Sequence, residues 1–244
     1  HSLLSPDDAF ADYETWTQDV PVYHIPEVVK RREYTDYQHW VAKERRGEDA
    51  SWMRRYEYAR SALKLGLQQQ ATLSVNPFKF GMIGSTDAHT SLATADEDNF
   101  WGKLTRVEPS DARIKHLLGE SVKNRSYSAA GYAAVWAEEN TRESLFSAMK
   151  RKEVYTSTGP RMTVRFFVGW TYEANDAQRP DLAKFGYSKG VPMGGDLTNA
   201  PKGRAPSFLI RAVKDPDGAN LDRVQVIKGW HDKNVELHEK IYNV

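Results

Sequence analysis

The sharpest chemistry in the sequence lies in one hexapeptide, Gly84-Ser85-Thr86-Asp87-Ala88-His89. Two small residues open the backbone where an apolar run ends, and a carboxylate and an imidazole follow two positions apart. In an extended loop both side chains can face one cation, and carboxylate oxygen with imidazole nitrogen suits Zn, Mn or Fe. Such an ion lowers the pKa of a bound water to about 7 and supplies a hydroxide nucleophile. The plainer alternative is an Asx-turn at Asp87 with His89 an ordinary loop residue. Two donors do not complete a site, so further ligands have to come from elsewhere.

Other groups are weaker candidates. Thr156-Ser157-Thr158-Gly159-Pro160-Arg161 is a small-residue loop ending in a guanidinium, which could hold a phosphate or carboxylate or simply form a turn. Glu138 and Glu139 follow an apolar run, where carboxylates also favour the start of a helix. His24, His39 and His116 lack a partner acid at fixed spacing, and His231 and His238 sit among charged residues near the end. No Gly-x-Ser-x-Gly, Gly-x4-Gly-Lys, Gly-x-Gly-x-x-Gly or His-Glu-x-x-His occurs, which removes the readings those motifs carry. No residue is assigned as a catalytic acid or base.

The elements that must position these groups follow from periodicity. The first fifty residues are irregular, punctuated by Pro6, Pro21 and Pro26. A helix capped by Asp49 or Ser51 carries the stripe Trp52, Tyr56, Ala59 and Leu63, and Asn76-Pro77 closes it. Residues 78–84 read as a buried strand running into the hexapeptide. After a polar stretch with one short helix near 112–118, a strand is expected at 133–137. A helix capped by Asn140, with Glu143 three residues on, follows and buries Leu145, Phe146 and Met149. A further strand at 154–156 completes a strand–helix–strand order that predicts parallel pairing. Beyond Gly159-Pro160 the pattern alternates. Residues 161–170, 207–214 and 221–230 read as strands, the last two joined as a hairpin through Asp215-Pro216-Asp217-Gly218-Ala219-Asn220. The Gly- and Pro-rich stretch 187–206 is expected to be non-helical.

The expected fold class is therefore α/β over residues 1–160, followed by an antiparallel, sandwich-like β-rich region over 161–244. With 34 Lys plus Arg against 33 Asp plus Glu, the formal net charge is +1, which argues against nucleic acid or an acidic membrane face as partner. No apolar run approaches a membrane span. Zero Cys excludes disulfides and thiolate chemistry and leaves the compartment open between cytoplasm and periplasm. His1-Ser2-Leu3-Leu4 lacks an initiator Met, and Ile241-Tyr242-Asn243-Val244 reads as a strand in progress. Both ends are expected to be cut from a longer protein.

Several longer strings together resemble one family. They are the run from Asn76 to Thr90, Glu97-Asp98-Asn99-Phe100, the run from Ala134 to Glu143, and Thr158-Gly159-Pro160-Arg161. The run from Gly190 to Leu197 and that from Lys214 to Asp222 belong with them. The family is a large, mostly bacterial one, the domain of unknown function numbered thirty-six hundred and four. It is similar to the PHP superfamily of metal-dependent phosphoesterases, which are built on a distorted β/α barrel. The resemblance implies that Asp87 and His89 form the last metal-binding element of such a site. It implies that His1 is the histidine of an earlier Glu-x-His element, and that the first elements, including a His-x-His, precede this chain.

The resulting expectation is a hydrolase holding divalent metal ions through Asp87, His89 and His1, acting on a small-molecule substrate. Arg161 would contact the anion, and the missing N-terminal part of the protein would complete the site. Two alternatives stand beside it. One is a related hydrolase acting on amides or sulfate esters. The other is a non-catalytic saccharide-binding β module that uses Trp170 and Trp230.

Overall fold

The computed structural model describes residues 59–86, 88–91, 117–118, 122–123 and 131–244. In chain order these carry α1 (Ala59–Leu73), β1 (Leu117–Leu118), β2 (Val122–Lys123), β3 (Tyr132–Val135), α2 (Arg142–Lys150) and β4 (Val154–Ser157). There follow β5 (Thr163–Gly169), a 3-10 turn (Ala174–Gln178), α3 (Leu182–Lys189), β6 (Gly190–Pro192), β7 (Ser207–Val213), β8 (Gln225–His231) and β9 (Leu237–Asn243). Helices and antiparallel sheets are thus mixed, the C-terminal part is rich in β structure, and the described residues contain no closed barrel. None of their helices is long and apolar enough to cross a membrane. Contacts divide the chain into two compact units. The first comprises residues 1–79, 114–126 and 226–242, and the second 80–113, 127–225 and 243–244.

The second unit has its core where β5 meets β7 and α3. Along β5 the buried positions are Phe167 and Gly169, the period-2 outcome of an alternating sequence. Antiparallel pairing sets Phe167 opposite Leu209, and both are sealed from solvent with Tyr172 and Leu182. On the other edge β6 pairs with β5, giving the order β6-β5-β7. The helix packs so closely that a Cβ at Gly186 would fall 2.6 Å from the Phe167 ring, so this position requires glycine. Arg211 closes the layer by donating from Nη2 to the carbonyls of Ala177 and Arg179, at 3.0 and 2.7 Å.

Several expectations are corrected here. Tyr132–Val135 and Val154–Ser157 pair antiparallel, Val135 opposite Val154, rather than parallel. After β3 the chain runs outward through residues 136–141, and nine helical residues rise only about 13 Å. The helix therefore returns the chain to the strand end it left, with Trp136 N–H donating to the Glu153 carbonyl at 2.9 Å. The N-cap of α2 is Thr141, whose Oγ1 accepts from Ser144 N–H at 3.3 Å, one residue later than Asn140. The helix buries Ala148, whereas Phe146 and Met149 are exposed. The apolar run before the hexapeptide forms no strand, and Phe80, Met82 and Ile83 are exposed.

Further corrections concern the C-terminal strands and the segments around them. β7 pairs with β5, and β8 pairs with β9, so 207–214 and 221–230 do not form a hairpin with each other. Their connecting turn exists, with Gly218 N–H donating to the Asp215 carbonyl at 3.1 Å, but six further residues separate Gly218 from β8. Residues 187–189 close α3 rather than opening the irregular stretch. Of the expected short helix near 112–118, Leu117–Leu118 is strand β1 and the rest lies outside the described residues, as do Trp52 and Tyr56.

The first unit joins α1 to the β8–β9 hairpin through polar contacts. Glu239 accepts from Arg60 Nε at 2.8 Å and lies 3.0 Å from Lys64 Nζ, while Gln68 Nε2 donates to the Val235 carbonyl at 3.1 Å. Partial burial pushes the Glu239 carboxyl up, but the hydrogen bonds from Arg60 and Lys64 outweigh it and hold the group below its ordinary 4.5. A depressed carboxylate contributes stability that is present above its unfolded pKa and lost as pH falls through the folded one. Lowering pH from 6 to below about 4.5 is therefore expected to lower the unfolding midpoint. The drop should be smaller in Glu239→Gln, as calorimetry across that range would read. An equal drop in both proteins would show that this ion pair contributes nothing.

Candidate functional site

Glycines bring the hexapeptide against the β3–β4 ribbon. A Cβ at Gly81 would lie 3.0 Å from Val154 Cγ2, and one at Gly84 would lie 2.0 Å from Thr156 Oγ1 and 3.0 Å from the Tyr132 carbonyl. Gly131, at φ +85, would place a Cβ 2.2 Å from the Ser85 carbonyl. Residues 81–85 thus run alongside β4 in the same direction and end beside Gly131, Tyr132 and Thr156. A side chain at Gly131 would strike the Ser85 backbone and one at Gly84 the Thr156 side chain, whereas at Gly81 the neighbouring side chains need give only a few tenths of an ångström. Thr86 then organises the turn, its Oγ1 accepting from Ala88 N–H at 3.4 Å.

Of the expected ligands, His89 is described and exposed. Asp87 and His1 lie outside the described residues. Glu138 and Glu139 are exposed in the bend after β3, and Glu139 N–H donates to Ser144 Oγ at 3.2 Å, so both belong to the approach to α2.

Arg161 stands at the same end of the ribbon. It lines a cavity of about 220 Å³ with Tyr132, Ala134, Tyr155, Ser157, Met162 and Thr163. Its guanidinium lies 5.7 Å from the centroid of the Tyr132 ring, within the range of a cation–π contact. Its backbone is fixed from a distance in sequence: Arg161 N–H donates to Asp215 Oδ2. The amides of Arg161 and Asp217 together hold the Asp215 carboxyl below the usual range. Tyr155 donates its hydroxyl to the Met162 carbonyl at 3.0 Å, and Ser157 donates to the Pro160 carbonyl. Both hydroxyls thereby shape the loop that presents the guanidinium. The lining thus includes a guanidinium and two tyrosines, a combination suited to an anion carried on a small apolar body.

The tryptophans of the saccharide alternative are engaged within the protein. Trp170 Nε1 donates to the Thr198 carbonyl at 3.1 Å, and Trp230 stacks on His238 with centroids 5.5 Å apart. That stack marks a group absent from the sequence-based candidates: Asp232, Glu236 and His238, whose ligand atoms all lie within 4.8 Å of one another. In sequence they are spaced four and two residues apart, and only a hairpin turn between them brings the three together.

Residues 1–244 match a family described as Protein of unknown function (DUF3604). The chain belongs to this family. No curated protein and no solved structure matches it. Membership in DUF3604 fits the strings that resemble that family, and its description leaves the activity to be argued from residues.

Proposed function

We propose that this DUF3604 chain is the C-terminal part of a metal-dependent hydrolase similar to the PHP phosphoesterases, acting on a phosphate ester. Asp87 and His89 are two of the metal ligands and His1 a third, with further donors supplied by elements that precede His1 in the family. One carboxylate and two imidazoles are a donor set that suits a borderline divalent ion such as Zn, Mn or Fe. The ion supplies an activated water as nucleophile. Arg161 holds the anionic group of the substrate, and the Tyr132 ring beneath the guanidinium limits the directions it can take.

One observation carries this reading: the backbone that leads into Asp87-Ala88-His89 ends against Tyr132 and Thr156, the same ribbon end that presents Arg161. From Ser85 to His89 four residues span at most about 14 Å. Chain connectivity therefore keeps His89 within that reach of Ser85.

The test is hydrolysis of a chromogenic phosphate diester by the full-length protein, before and after chelation. Activity should fall to background on chelation and return with Zn²⁺ or Mn²⁺. Activity that persists through exhaustive chelation would refute the proposal.

A further inference from the structure

We propose that the tip of the β8–β9 hairpin is a second, separate divalent-cation site, formed by Asp232, Glu236 and His238. The inference does not rest on the hydrolase reading. Its residues belong to the first unit, and none of them is a ligand of the site proposed around Asp87.

The argument is geometric. Asp232 Oδ1 is occupied, accepting from Asn234 N–H at 2.8 Å and from Glu236 N–H at 3.0 Å. Oδ2 is thereby aimed across the hairpin at His238 Nε2, 3.3 Å away. For a charge-assisted hydrogen bond that separation is long, since such bonds settle at about 2.7–2.9 Å. For two ligands sharing one ion it is the expected spacing. With metal–ligand bonds of about 2.1 Å, neighbouring ligands stand about 3.0 Å apart in an octahedron and about 3.4 Å apart in a tetrahedron. The third donor, the exposed Glu236 carboxylate, is already within 4.8 Å of the other two. Rotation of an exposed side chain is all that is needed to close the triad.

The imidazole is also held in place. Its ring is stacked on Trp230 at an interplanar angle of 27°, which fixes its plane across the hairpin. The loop between the ligands is closed by Asp232 N–H to the Glu236 carbonyl at 3.0 Å and Val235 N–H to the Asp232 carbonyl at 3.1 Å. One nitrogen and two carboxylate donors favour a first-row ion such as Zn²⁺ or Mn²⁺ over Ca²⁺, which takes six to eight oxygens. Water would fill the remaining positions, and the ion would tie the residue that follows β8, Asp232, to His238 within β9.

The test is calorimetric titration of the full chain with Zn²⁺ alone. It would be run on the wild type and on a chain carrying Asp87→Ala and His89→Ala, with Glu236→Gln and His238→Gln added singly to each. The Asp87→Ala/His89→Ala chain is expected to keep one equivalent of Zn²⁺, and either hairpin substitution should weaken that equivalent at least tenfold. Glu236→Gln leaves the backbone N–H bonded to Asp232 and removes only an exposed charge, so it reads the site even if His238→Gln disturbs the hairpin. Absence of that equivalent, or affinity unchanged by Glu236→Gln, overturns the proposal. Loss of the Asp87 site alone would leave this equivalent intact, so the two proposals fail separately.

Discussion

Asp87→Ala in the full-length protein is expected to lower kcat/KM for phosphate-ester hydrolysis by about a thousandfold or more, with the unfolding midpoint little changed. Loss even of groups that only support a metal ligand costs about 10–100-fold, and loss of a ligand that also fixes the position of the activated water costs more. The close approach of Gly84 to Thr156, which seats the backbone, precedes position 87 and involves neither changed side chain. His89→Ala should act on the same assembly. The double variant should then be scarcely worse than either single one, because ligands of one ion act as a unit. Additive losses would mean that the two residues serve different steps, and an Asp87→Ala enzyme with near wild-type kcat/KM would remove Asp87 from the chemistry. Steady-state kinetics at saturating metal, paired with a thermal melt, distinguishes these outcomes from simple unfolding.

The second large effect concerns the scaffold. Phe167→Ala is expected to destabilise the second unit by about 3–5 kcal/mol, the range for truncating a fully buried aromatic. Phe167 has no exposed surface. It faces Leu209 across the sheet, and its ring meets that of Tyr187 edge-on with centroids 5.1 Å apart. The Gly186 backbone closes over it. Little can move inward to fill the void, because that backbone belongs to α3 and Leu209 is fixed by pairing along the whole of β5 and β7. Denaturant titration followed by near-ultraviolet dichroism would measure the loss. A change below about 1.5 kcal/mol would show that the site collapses freely, contrary to the packing described here.

Some of this architecture can be read directly in the sequence. The alternation in Thr163–Gly169 specifies a half-buried strand, and it forms one whose inward residue is Phe167. Thr141 with Glu143 in the first turn and Lys150 in the last specifies α2, and the cap is displaced from Asn140 by one residue because both types can accept the same amide. Pairing is less legible. The chemistry around Asp215 specifies a turn, but a turn does not name the strand that follows it. The partner of β7 is β5, more than thirty residues earlier, because Phe167 and Leu209 bury each other. The direction of β4 depended on how far residues 136–141 travel before α2 begins, a length that apolar periodicity does not encode.

The candidate site divides in the same way. Asp87 and His89 are visible because they are close in sequence and follow an apolar run. Arg161 is visible only as the end of a small-residue loop, and its backbone is held by Asp215, fifty-four residues later, accepting its N–H. Asp232, Glu236 and His238 look like charged surface residues until the hairpin register sets two of them across from each other. Local spacing is thus legible, and groups assembled by long-range pairing are not.

Crystals of the full-length protein, grown with Mn²⁺ and measured at the manganese absorption edge, would test the central assignment most directly. The expected result is an anomalous peak within about 2.0–2.3 Å of both an Asp87 carboxylate oxygen and a His89 ring nitrogen. Well-ordered Asp87 and His89 side chains pointing apart, with no peak between them, would contradict it.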